Sequence, residues 1–185
     1  MRYLFLGVFV FLGLESHSQQ LTRQWDTKLR DQIETYKSCK NQADPTNKCF
    51  HQIGQTLHTL YSLRDFYDAS QQRYMTISEI AAYVKESSQW TLMGQSWEKE
   101  ALLQAQELAN QKRAVIAIYL SEEGLGQLAF VLPGEMMPSG SWGMPVPNSA
   151  AFVAQTPDKS YSGKGLSYAF PRRLIPQVSI YARKP

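Results

Sequence analysis

Apolar residues recur with two different periods along this chain, and the change of period divides it. Over 21–38 they fall at Leu21, Trp25, Leu29, Ile33 and Tyr36, the spacing that gathers them on one face of a helix. Asn41, Asp44, Pro45 and Asn47 then break the pattern and predict a loop over 39–48. A second helix is expected over 49–63, with Ile53, Leu57 and Leu60 on one face. Thr76-Ile77-Ser78-Glu79 spells a capping box, in which the hydroxyl accepts from the third amide and the glutamate reaches back. It predicts a third helix running through Lys85. Ser96 is placed to cap a fourth, ending at Asn110, with Ala101, Leu102, Ala105, Leu108 and Ala109 inward.

Beyond Arg113 the helical period is lost. The continuous apolar run to Leu120 suits a central strand, and Gln127 to Leu132 suits its neighbour. The acidic glycine turn between them (Ser121 to Gly126) predicts a hairpin. Glu135 to Ser149 is rich in proline and glycine around Trp142 and reads as a long structured loop. Leu166 to Phe170 and Gln177 to Ala182 are expected as closing strands. Helices first and an antiparallel sheet afterwards predict an α+β fold, N-terminal helices packed on a small sheet.

The first residues change the domain count. Met1-Arg2-Tyr3 is a short positive start, Leu4 to Leu14 an apolar run, and Ser16 and Ser18 stand at the positions a signal peptidase reads. This predicts a secretory signal over 1–18 and a single domain over 19–185. The apolar run is too short for a permanent anchor, and no later run approaches membrane length. A secreted or periplasmic protein with no stable span after signal removal is therefore expected.

Charge adds a second constraint. Of the net +3, the excess sits at the C-terminal end. From Asp158 onward Lys159, Lys164, Arg172, Arg173, Arg183 and Lys184 face one acid. Such an end suits anionic wall polymers, or merely solubility, and the pattern is too thin for nucleic acid. No His/Cys/carboxylate cluster has ligand spacing, so no metal and no cofactor are expected.

Two cysteines, Cys39 and Cys49, leave an alternative open. An even count in an exported chain suggests a disulfide, worth roughly 2–3 kcal/mol through loop entropy. Yet Cys49 stands where a helix is expected to begin, and the positive end of a helix dipole favours a thiolate nucleophile. Neither histidine of the mature chain can easily serve such a thiol. His51 lies two residues on, where side chains diverge on a helix. His58 lies about 13.5 Å along the axis by helical rise.

Several short pieces, in order, resemble the papain-like cell-wall amidases of the CHAP and NlpC type. They are Thr46-Asn47-Lys48-Cys49, Asp65-Phe66, Ala109-Asn110 through Ala117, Gly126 through Gly134, Ser139-Gly140-Ser141-Trp142-Gly143, and Gly165 through Phe170. The resemblance implies a papain-like amidase fold. It implies Cys49 as nucleophile, and a histidine at the place where this chain has Gln127. A carboxamide cannot take a proton from a thiol at neutral pH, and general base catalysis is worth ~10²–10⁴-fold. Ser141 and Asn148 are the candidates for the third, orienting position. Trp142, in its Gly/Pro/Ser loop, is expected to wall a groove, while Trp90 and Trp97 are expected in the core.

Three readings follow. One is a catalytically degenerate amidase-like protein that binds wall peptide or an exported protein partner. Another is an active cysteine amidase with an unorthodox base. The last is a disulfide-stapled inhibitor or immunity-type module.

Overall fold

The computed structural model describes residues 21–38, 48–122, 126–153 and 156–185. The expected signal segment, the body of the 39–48 loop with Cys39, and the tip of the 121–126 turn lie outside the described residues. Four α-helices are described: α1 (Trp25–Lys37), α2 (Gln52–Tyr61), α3 (Ile77–Glu86) and α4 (Lys99–Asn110). A minor hairpin pairs β1 (Tyr67–Asp68) with β2 (Arg73–Tyr74). The main sheet contains β3 (Trp90–Gln95), β4 (Val115–Leu120), β5 (Gly126–Val131), β6 (Asn148–Phe152), β7 (Tyr161–Gly165) and β8 (Ser179–Arg183). Its spatial order is β3-β8-β4-β5-β6-β7, antiparallel throughout. The fold is mixed α+β with two antiparallel sheets. Helices and strands interleave rather than separate, because β3 precedes α4.

The sheet is covered on both sides, and strand alternation decides which residue serves which side. Ile116, Ile118, Leu128, Phe130 and Phe152 join Leu29, Ile33, Ile53, Leu57 and Ile80 in one cluster beneath α1, α2 and α3. Val115, Ala117, Ala129, Val131 and Ala151 face the other way, against Ala101, Leu102, Ala105 and Ala109 of α4. Small residues on both α4 and the strands let that helix lie close to the sheet. This double burial explains why β4 and β5 read as continuous apolar runs rather than alternating ones.

The helix ends follow local chemistry. The capping box forms: Glu79 N donates to Thr76 Oγ1, and Thr76 N donates to the Glu79 carboxylate at 2.7 Å. Arg73 donates to both Glu79 oxygens, at 2.8 and 2.6 Å, and ties the minor hairpin to the helix start. Arg73 first, and the Thr76 donors after it, hold the Glu79 carboxyl at about 2 against an ordinary 4.5. Depression in the folded state means the contribution is complete above about 4.5 and is lost as pH falls toward 2. We expect the Tyr67 and Tyr74 ring signals to move over that acid range in an NMR titration, and Glu79→Gln to abolish the transition. A pH-independent spectrum from pH 5 to 2 would refute the linkage.

Three expectations are corrected. Ser96 does not cap α4. It is fully buried, its hydroxyl donates to Ile175 O at 2.9 Å, and Glu98 occupies the cap position. Leu166 to Phe170 is not a strand. The strand lies just before it, at Tyr161–Gly165, and the chain turns into a short 3-10 helix at Leu166–Tyr168. Trp97 is 56% exposed, whereas Trp90 is buried against Phe66.

A polar clasp joins the ends of the fold. Asp65, just past α2, accepts from Trp90 Nε1 at 3.0 Å and from Arg183 Nε at 2.8 Å. Both members of the Arg183–Asp65 ion pair are largely buried, at 13% and 7% side-chain exposure.

Candidate functional site

Cys49 sits in a 3-10 turn (Lys48–His51) that leads into α2, as a helix-start position requires. It is 8% exposed and packs in the cluster beneath α1 to α3. Its sulfur is in a disulfide. The chain's only other cysteine is Cys39, outside the described residues. A disulfide sulfur offers no thiolate. In this oxidised state, then, the nucleophile role is closed.

Gln127 is not brought to Cys49. Its neighbours on β5, Leu128 and Phe130, point into the cluster that holds Cys49. Alternation turns Gln127 to the opposite face with Ala129 and Val131. There its Nε2 donates to Ala169 O at 2.6 Å. A buried main-chain acceptor thus has its donor, and the carboxamide is committed to a structural bond.

Trp142 performs the same task one residue on. Its Nε1 donates to Phe170 O at 3.0 Å, and the ring is 3% exposed. The expected groove wall is therefore corrected: this indole is core, with no free face for a ligand. Ser141 is exposed, and its hydroxyl is paired with that of Ser139 at 3.2 Å. Two pieces of the family-like pattern, Gln127 and Trp142, thus converge on a third, the Ala169-Phe170 carbonyls.

The remaining pieces converge too, around a residue the periodicity concealed. Gln106 occupies the apolar face of α4 and is 4% exposed. Its Nε2 donates to Leu132 O and its Oε1 accepts from Asn148 N, each at 2.8 Å. Asn110 Oδ1 accepts from Gly134 N, and Asn148 Nδ2 donates to Pro133 O, again at 2.8 Å each. This amide network fixes the exit of β5 to the entry of β6. Gly134 is required there: its φ is +147°, and a Cβ would stand 2.8 Å from Asn148 Nδ2. A glutamine among Leu102, Ala105 and Ala109 was the sequence signal for a buried polar anchor.

Asn148 has a further property. Its Oδ1 is buried and accepts from no described residue. The residue also lines a groove of about 370 Å³ between α1 and β7. Trp25, Ile33 and Leu132 add apolar surface to it. The rim is the outward side of α1, where Arg30 pairs with Asp26 at 3.4 Å and Lys37 with Glu34 at 2.8 Å. The sequence signal for this rim was the alternation of charge beside the Leu29/Ile33 stripe, which the helix period alone treats as solvated surface.

Among the described residues no group of histidine, cysteine and carboxylate side chains could hold a metal ion. No described helix is long and apolar enough to cross a membrane. No protein-family model matches the chain, and no curated protein matches it.

Proposed function

We propose that this chain is an exported, non-catalytic protein of amidase-like ancestry that acts by binding cell-wall peptide or an exported protein partner. One observation carries the non-catalytic part of the reading, while the ancestry rests on the short ordered pieces of sequence. Gln127, which the resemblance sets at the histidine's place, is bonded through its carboxamide to Ala169 O on the sheet face opposite Cys49, whose sulfur is oxidised. A cysteine amidase needs a thiolate and an imidazole within hydrogen-bond reach. Here the sulfur is spent on a staple and the carboxamide on a main-chain carbonyl.

The test is digestion of purified muropeptides by the oxidised chain, the reduced chain, and Gln127→His with Cys49→Ala as control. No product is expected from any of them. The histidine variant is expected to stay inactive because its ring would emerge on the far side of the sheet from Cys49. Product from the reduced native chain that disappears in Cys49→Ala would overturn the proposal in favour of an active amidase.

A further inference from the structure

We propose that the groove between α1 and β7 is a binding site for a short, extended peptide with a free amino group and a free carboxylate. The site is distinct from Cys49 and Gln127, and the inference does not depend on amidase ancestry.

The first argument is charge order. Asp26, Arg30, Glu34 and Lys37 all line the groove, so its rim alternates acid and base. By helical rise, opposite charges on it are spaced from about 4.5 Å to about 16.5 Å apart. An extended tripeptide spans about 10 Å, inside that interval. Such a ligand can set its ammonium against Asp26 or Glu34 and its carboxylate against Arg30 or Lys37. A ligand of one sign would leave half of the rim repelling it.

The second argument is cost. The Asp26–Arg30 pair is 59% and 67% exposed, and exposed pairs of this kind are worth only about 0–1 kcal/mol. Opening them to receive a ligand therefore costs little. The third argument is the floor. Ile33, Leu132 and Asn148 form it, and Asn148 is held in place by its Nδ2 bond to Pro133 O. β7 ends the sheet, and its Ser162 and Gly163 border the groove as the last strand described on that side. A volume near 370 Å³ lies within the range of small-ligand sites and is too small for a folded partner to enter.

The experiment is an NMR titration of the oxidised chain with trialanine, N-acetyl-trialanine and trialanine amide. Saturable shifts of the Asn148, Ser162 and Gly163 amides are expected with trialanine. Blocking either end should weaken binding by about tenfold or more, equivalent to about 1.4 kcal/mol. The double variant Arg30→Gln/Lys37→Gln alters only the rim of α1. It should lose the preference for a free carboxylate and keep the preference for a free amine. No saturable shift up to about 10 mM, equivalent to about −2.7 kcal/mol, would overturn the proposal. So would equal binding of the blocked peptides, or binding of a neutral disaccharide to the same amides in preference to trialanine.

Discussion

Asp65→Ala is expected to lower the unfolding free energy by about 3–5 kcal/mol, the range for removing one partner of a buried ion pair. The side chain is 7% exposed and serves two donors from two different elements, Trp90 Nε1 on β3 and Arg183 Nε on β8. Its loss leaves the largely buried guanidinium with Gln89 Oε1 and Lys184 O as acceptors. The indole N–H is orphaned at the same time. Urea denaturation of the variant checks this, with the slope unchanged and the midpoint reduced. The companion Asp65→Leu/Arg183→Met is expected to recover part of the loss, because two apolar groups tolerate the interior that one charge does not. A loss below about 1 kcal/mol for Asp65→Ala would mean that the pair is solvated and the clasp unimportant.

Gln106→Ala is expected to cost about 3 kcal/mol. It leaves Leu132 O and Asn148 N without partners in a buried setting, at about 1–3 kcal/mol each. For a domain of this length the melting temperature should fall by roughly 6–12 °C. Gln104→Ala, on the exposed side of the same helix, should change stability by less than about 0.5 kcal/mol. The pair isolates the network from helix propensity, since both replace glutamine with alanine in α4. Equal effects of the two substitutions would refute the network. Because Gln106 also orients Asn148, the first variant should further shift the amides of the α1–β7 groove, which thermal melting alone would not reveal.

Both predictions concern residues in or beside the family-like pattern, and they change what that pattern signifies. Asp65, Asn110, Gln127, Pro133, Gly134, Trp142 and Asn148 looked like the scattered parts of a hydrolase. In the folded chain Asn110, Gln127, Trp142 and Asn148 bond main-chain groups, those of Pro133 and Gly134 among them, and Asp65 accepts from the Trp90 indole and the Arg183 guanidinium. Motif pieces separated by tens of residues meet because a sheet interior demands partners for every peptide group.

Local patterns foretold much of the fold. Spacing of Leu29, Ile33, Leu57 and Leu60 located α1 and α2, the Thr76/Glu79 box located α3, and the apolar runs located β4 and β5 as a hairpin. These features are short-range: a helix face, a cap and a turn are decided within a few residues. The minor hairpin and three strands of the main sheet escaped. β3 holds exposed Leu92 and a bulge near Gly94, β6 is mostly small residues, and β7 is Tyr-Ser-Gly-Lys-Gly. Each is a strand by virtue of the neighbour it pairs with rather than its own residues.

The same division holds for the site. The sequence by itself determined that a carboxamide stands where a base was expected and that two cysteines were available to bond. Only the tertiary structure decided the rest. A period of two in β5 sends Gln127 to one face while the turn leading into α2 carries Cys49 to the other, and a sequence does not say which face a distant helix will cover. Likewise, Trp97 and Trp142 exchanged their expected places. Burial of an indole depends on whether the folded chain supplies an acceptor for its N–H, and Phe170 O supplies one to Trp142 alone of the two.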